Sequence, residues 1–98
     1  MRLRNESDYP SELHIGEETY AIQFVTRIPG GSAQDVGLAD SGKKVIYLKK
    51  GMTKSMLMRT FVHEVIHALA EFEYEIKLKH KQVYQLERAI ADFLLMNF

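Results

Sequence analysis

The segment that most constrains the fold is residues 56–75, which contain neither proline nor glycine. Apolar side chains recur along it at the spacing of one helical face, whereas a strand would show a two-residue alternation. These apolar residues are Met58, Phe61, Val62, Val65, Ile66, Leu69 and Phe72. Gly51 breaks the preceding strand pattern, and either Thr53 or Ser55 can cap a helix that follows. We therefore predict a long helix with one apolar face.

Inside this helix, residues 63–67 place two histidines and a glutamate at a spacing suited to a metal site. His63 and His67 are four positions apart, so they lie on one helical face about 6 Å apart along the axis. Two such imidazoles can bind one tetrahedral zinc ion, and Glu64 can handle the proton of a zinc-bound water. The competing interpretation is a buried helix that carries two histidines by chance.

Length and composition exclude several other classes of protein. A chain of 98 residues forms one domain, 1–98. Lys plus Arg and Asp plus Glu both number 13, so no charge excess indicates a nucleic-acid partner. The absence of cysteine excludes disulfides and thiolate zinc sites. Neither a signal peptide nor the ~20 apolar residues of a membrane span is visible, so we expect a soluble cytoplasmic protein without a membrane partner.

The remainder of the chain predicts a small antiparallel sheet made of two hairpins. Residues 1–11 are polar and contain a proline, and we expect them to form a loosely held arm. Residues 13–28 show a first hairpin around a glycine-containing turn, with Tyr20, Ile22 and Phe24 on one face of its second strand. After a loop rich in glycine, residues 38–48 show a second hairpin.

A second helix follows a short polar connection near residues 77–79. Its apolar positions form a stripe that we expect to pack on the first helix: Val83, Leu86, Ile90, Phe93, Leu94 and Phe98. The predicted fold class is therefore α+β, with a small sheet followed by a long helix and a C-terminal helix.

Catalytic zinc usually has three protein ligands, so a third must come from elsewhere in the chain. Antiparallel packing of the two helices would put Glu87 level with His67 at the border of the apolar stripe. Glu87 is therefore the preferred third ligand. His80 is the alternative, and it would need the first helix to end earlier.

The other candidates are weaker. Glu71 would lie ~12 Å along the helix axis from His63, so one straight helix cannot bring both to the same ion. Glu73 would need a break after His67, which the sequence does not suggest. Asp92 points away from the stripe, and His14 in the first strand has no partner at metal spacing.

This order of elements resembles the small zincin-like metallopeptidases of the ImmA/IrrE type, especially the short versions found in phages and prophages. The resemblance covers residues 36–98, through the strand 44–48, the motif within 58–69 and the helix segment 86–95. It implies a zincin-like fold, zinc bound by His63, His67 and Glu87, and Glu64 as the general base. A second resemblance, to SprT-type proteases, would make His80 the third ligand.

The function we expect is zinc-dependent hydrolysis of a protein or peptide substrate. The alternative is a non-catalytic zinc-binding regulatory or interaction module, which the small size favours. A free edge strand at residues 45–48 could hold an extended peptide. An oxyanion would need a further donor, and the sequence does not choose among the candidates Tyr47, Tyr74, Tyr84 and His80.

Overall fold

The computed structural model describes residues 2–98, and Met1 lies outside the described residues. The chain forms an α+β domain in which the first long helix packs on one four-stranded sheet and the second packs on the first. The strands are β1 (Glu12–Ile15), β2 (Glu18–Val25), β3 (Gly37–Asp40) and β4 (Val45–Lys49), in the spatial order β1-β2-β4-β3. The helical segments are α1 (Lys54–Ile66), a π-helical segment (His67–Glu73) and α2 (His80–Asn97).

Both predicted hairpins are present, but the sheet is mixed and not purely antiparallel. β1 pairs with β2 and β3 pairs with β4 in antiparallel fashion, whereas β2 and β4 run parallel, with Ile22 opposite Ile46. β3 lies between β2 and β4 in the chain and runs in the opposite direction to both. β4 therefore runs in the same direction as β2. Each hairpin is local in sequence, but the pairing of one hairpin with the other is not, and hydrophobic pattern alone does not specify it.

The position of β4 contradicts the prediction of a free edge at residues 45–48. β4 has partners on both sides, and all four of its residues Val45 to Leu48 are buried. A continuous apolar run is typical of a strand covered on both faces, which is how this strand is placed. The edges of the sheet are β1 and β3.

The first helix begins as predicted but changes its winding at the second histidine. The Thr53 side chain caps α1 by accepting a hydrogen bond from the Met56 N–H. At His67 the α-helix gives way to the π-helical segment, where the Tyr74 N–H donates to the Leu69 carbonyl five residues earlier. The expected helix is therefore continuous in direction but wider in its last turns.

The main core lies between α1 and one face of the sheet. Tyr20, Ile46 and Leu48 are fully buried there, and Ile22 and Phe24 belong to the same cluster, so the prediction that Tyr20, Ile22 and Phe24 share one face of β2 is confirmed. A smaller cluster of Ile28, Val45 and Tyr47 covers part of the opposite face.

The N-terminal segment is not a loosely held arm. Leu3 and Tyr9 are both buried, and the Tyr9 ring packs edge-on against Phe61 at a centroid distance of 5.0 Å. A 3-10 turn (Glu6–Asp8) lies between them, and the Gly51 N–H donates to the Glu6 carboxylate. Two isolated apolar residues show no periodicity, so the sequence pattern gave no sign of this anchoring.

The apolar stripe predicted for α2 is largely wrong. Leu86, Ile90, Phe93 and Phe98 are exposed, whereas Val83 is buried and Leu94 is half-buried. The most buried face of α2 instead carries Val83, Glu87 and Ala91. This face is narrow and contains a charged residue. A prediction based on bulky apolar side chains therefore chose the neighbouring face of α2. Within residues 2–98, no helix combines the length and apolar character needed to cross a membrane.

Candidate functional site

The last turn of α1 brings the two histidines of the motif together. His63 Nε2 and His67 Nε2 lie 3.0 Å apart, and both side chains are about one-fifth exposed. Two zinc–nitrogen bonds of ~2.0–2.1 Å at a tetrahedral angle would separate the nitrogens by about 3.4 Å. The two rings therefore need only a small rotation to share one ion through these atoms.

Glu87 reaches this pair from α2, but it meets His63 and not His67, with which the predicted packing had placed it level. Its Oε1 accepts a hydrogen bond from His63 Nδ1 at 2.6 Å, and its Oε2 lies 3.3 Å from Nε of Arg59. The Glu87 side chain is only 8% exposed. The two contacts compensate for the energetic cost of burying its charge. The structure thus brings Glu87 to the site through Nδ1 of His63, and its role as a direct ligand stays a prediction.

Glu64 points toward the sheet, where edge strand β3 crosses the helix. It is buried, and Gly37 of β3 packs directly against its carboxylate and against Thr60. Burial raises the pKa of Glu64, while the neighbouring His63 and His67 and the backbone N–H of Ala39 act to lower it. The carboxylate of the motif glutamate therefore lies against edge strand β3.

A cavity of about 500 Å³ opens beside these residues. One wall comes from the start of β3 and the loop before it, and the other walls come from α1 and α2. The residues that line it are Gln34, Asp35, Val36, Gly37, Met56, Arg59, Thr60, His63, Glu64, Tyr84 and Glu87.

Other predicted candidates lie elsewhere. His80 is the exposed first residue of α2, and His14 contacts Thr19 within the β1–β2 hairpin. Glu73 accepts hydrogen bonds from Tyr20 and Lys44. Asp92 is exposed on α2.

Among the proposed oxyanion donors, the structure distinguishes Tyr84 from the rest. The Tyr84 ring lines the cavity, with its centroid 5.5 Å from that of His63. Tyr47 is buried in the small cluster with Ile28, and Tyr74 lies beside Gly16 at the far end of the π-helical segment. The sequence could not choose among these tyrosines because the choice depends on which face of α2 meets α1.

Two contacts near the site were not predicted, because Arg59 was not considered and Glu71 was weighed only as a zinc ligand. Arg59 contacts Glu87, and Glu71 Oε1 lies 3.0 Å from His67 Nδ1. Arg59 is four residues before His63, and Glu71 is four residues after His67. Side chains at this spacing share a helical face, so the signal was present in the sequence.

The donors at the site fit zinc in part. Imidazole nitrogens and carboxylates are ordinary zinc ligands, and the two Nε2 atoms already converge. Among residues 2–98, however, no group of three or more histidines or acidic side chains is arranged to hold a metal ion. The structure therefore supplies two converging donors, and a third protein ligand would require a side chain to turn.

Comparison with known protein families, curated proteins and solved structures finds no match to this chain. The resemblance to ImmA/IrrE-type peptidases therefore stays a prediction based on the motif and the order of elements.

Proposed function

We propose that this protein is a zinc-dependent peptidase whose metal ion is held by His63 and His67. The observation that carries the proposal is the 3.0 Å approach of the two Nε2 atoms. At this distance one Nε2–H can donate a hydrogen bond to the other Nε2, and a zinc ion would take the place of that shared proton. Zinc bound there would polarise a carbonyl group and lower the pKa of a bound water toward about 7.

In this proposal Glu64 is the general base. It takes a proton from the attacking water and delivers it to the leaving amine of the cleaved peptide. Burial raises the pKa of Glu64 above its ordinary value, which brings it closer to that of an effective general base, although His63, His67 and the Ala39 N–H act in the opposite direction. Tyr84, at the mouth of the cavity beside His63, is the candidate donor to the developing oxyanion.

The edge strand β3 supports a peptide as the substrate. The Lys49 N–H donates to the Val36 carbonyl, and the antiparallel alternation turns the main-chain groups of Gly37 and Ala39 away from β4. Although the Ala39 N–H is directed to Glu64, the outward carbonyls and the Gly37 N–H can pair with an extended chain. β3 takes the role that the sequence analysis had given to residues 45–48.

The alternative is a zinc-binding regulatory or interaction module without hydrolytic activity. The observation in its favour is the burial of Glu64, because a general base must reach a water molecule.

The experiment that separates these functions compares the zinc-loaded wild type with Glu64→Gln on a peptide library read by mass spectrometry. We expect the variant to keep its zinc and to cleave at least about 100-fold more slowly, since a general base contributes 10²–10⁴-fold. Asp92→Asn is the matched control, because it removes an exposed carboxylate from α2 and should cleave like the wild type. Equal, near-background cleavage by wild type and Glu64→Gln would favour the binding module.

A further inference from the structure

Four exposed apolar side chains form a row along one side of α2. Leu86 is 41% exposed, Ile90 39%, Phe93 60% and Met96 82%. They follow one another at intervals of four, three and three positions, so they lie on one side of the helix, which we call the outer face. A surface helix ordinarily turns polar residues to solvent, so this row indicates a contact that the single chain does not make.

The outer face lies away from the candidate site. Phe93 follows Tyr84 by nine positions, about two and a half helical turns, so the two rings point to opposite sides of α2. Tyr84 lines the cavity beside His63. A partner bound to the outer face would therefore leave the cavity open, and the interaction does not depend on the proposed zinc chemistry.

The outer face is large enough for one half of a small protein interface. Gln82 and Asn97 continue the row at its two ends, each four positions beyond the nearest member. The four apolar side chains expose roughly 500 Å², and these two polar residues extend the face to about the 600 Å² per partner at which stable interfaces begin.

The chemistry of the row favours a second copy of this chain as the partner. None of its six residues is charged. A two-fold dimer brings the same surface of both chains into contact, so any charge on that surface would meet a charge of the same sign. Here apolar side chains would meet apolar side chains, with the amides of Gln82 and Asn97 at the rim.

The charges on α2 favour one direction of packing. Residues 77–81 contain three lysines and a histidine, whereas Asp92 is the one charged residue in 89–98. Parallel packing of two copies would set their lysine-rich starts side by side. Antiparallel packing centred on the row separates these starts by roughly 30 Å, well beyond the ~8–10 Å at which salt screens such repulsion.

We propose that the outer face of α2 is a dimer interface, on which the same face of a second copy of this chain packs in antiparallel orientation. Phe93 lies within the row and is its one aromatic residue, so it is the anchor of the interface. The side of α2 that packs on α1 through Val83 and Ala91 is not changed by this contact.

Sedimentation equilibrium of the full zinc-free chain between about 1 and 200 µM tests the interface, since standard interfaces bind in the µM range or more tightly. We expect the wild type to approach twice its chain mass of 11.3 kDa at the upper end. Phe93→Glu should weaken dimerisation at least about 30-fold, as loss of an interface anchor does. Tyr74→Glu is the matched control, because it changes an equally exposed aromatic residue (58%) outside α2 and should dimerise like the wild type.

A wild type that stays an 11.3 kDa monomer throughout this range would overturn the proposal. A dimer that Phe93→Glu leaves unchanged would do the same, because the interface would then lie elsewhere. Met96→Glu guards against a folding defect, since a side chain that is 82% exposed contributes little to the fold, and circular dichroism checks this. It should also weaken the dimer, and equal dimerisation of wild type and a folded Met96→Glu would contradict the assigned face.

The direction of packing is tested by the distance between two spin labels, one on each copy of Lys81→Cys. The chain has no cysteine of its own, so each copy carries a single label. Antiparallel packing places the two labelled positions roughly 30 Å apart, whereas parallel packing places them about 10 Å apart, the spacing of two packed helices. A distance near the shorter value would overturn the antiparallel arrangement.

Discussion

Gly37 illustrates how one residue without a side chain can shape this site. A Cβ atom at this position would lie 2.7 Å from Thr60 Cγ2 and 2.9 Å from Glu64 Oε2. Both distances are shorter than van der Waals contact, so β3 can cross α1 this closely only because residue 37 is glycine. The position of the motif glutamate therefore depends on a residue outside the motif.

We predict that Gly37→Ala lowers the free energy of unfolding by about 1–3 kcal/mol, as overpacking of a filled site generally does. Urea unfolding of the zinc-free protein measures this change. Gly42→Ala is the control, because the nearest atom to its added Cβ would be 3.4 Å away, in ordinary contact. Equal stability of the two variants would show that β3 can move away from α1 at little cost.

At the scale of elements, hydrogen bonds to one acidic residue connect the end of the π-helical segment to the sheet. Glu73 accepts hydrogen bonds from the Tyr20 hydroxyl at 2.6 Å and from Lys44 Nζ at 2.9 Å. These contacts, that of Tyr20 first, lower the pKa of Glu73 below its ordinary value of 4.5. Burial and the bond to Glu73 raise the pKa of Tyr20 to about 12.

This cluster predicts a pH dependence of stability. Because the pKa of Glu73 is lowered in the folded chain, its contribution is complete above pH 4.5 and is lost as pH falls through the folded pKa. Thermal unfolding should therefore show a lower Tm for Glu73→Gln than for wild type at neutral pH, with the gap closing in acid. Glu17→Gln controls for the loss of one exposed carboxylate. A Tm difference between wild type and Glu73→Gln that stays constant down to strongly acidic pH would contradict the lowered pKa of Glu73.

The second helix provides a test of which face meets α1. Ala91 is fully buried, so Ala91→Leu should overpack the interface and lower the free energy of unfolding by about 1–3 kcal/mol. Ala89→Leu makes the same change on the exposed side of α2 and should alter it by less than about 0.5 kcal/mol. Similar losses in both variants, measured by urea unfolding, would indicate that α2 packs through a different face.

The sequence predicted the elements of this fold better than it predicted their arrangement. Both hairpins, the Thr53 cap and the connection before α2 follow from local chemistry, and all are present. The parallel pairing of β2 with β4 joins residues far apart in the chain, so no local pattern encodes it. The burial of Leu3 and Tyr9 likewise depends on contacts made only in the folded molecule.

The candidate site shows the same division. The spacing of His63 and His67 already placed them on one helical face, and their Nε2 atoms do converge. Glu87 could be placed near them from the length of the connection between helices. The contact of Glu87 with Nδ1 of His63 could not be predicted. It depends on the rotation of α2 about its axis, which is set by Val83 and Ala91, and these two residues give only a weak apolar pattern.

At the scale of the whole molecule, zinc bound by His63 and His67 should stabilise the folded chain over the unfolded one. An ion that binds only the folded chain adds about 2.7 kcal/mol to the free energy of unfolding when its free concentration is 100-fold above Kd. We therefore predict a rise in Tm with added zinc and its reversal by a chelator, for the wild type and not for His67→Ala. A Tm that does not respond to zinc in the wild type would mean that the pair does not hold the ion in the folded state.

The most direct test of the central claim is the amount of zinc bound per chain in the wild type and in four single histidine variants. We predict about one zinc ion per chain in the wild type, in His14→Ala and in His80→Ala, because the last two residues lie away from the converging pair. We predict a loss of most of that zinc in His63→Ala and His67→Ala. Near-zero zinc in the wild type after zinc loading would contradict the claim that His63 and His67 form a metal site.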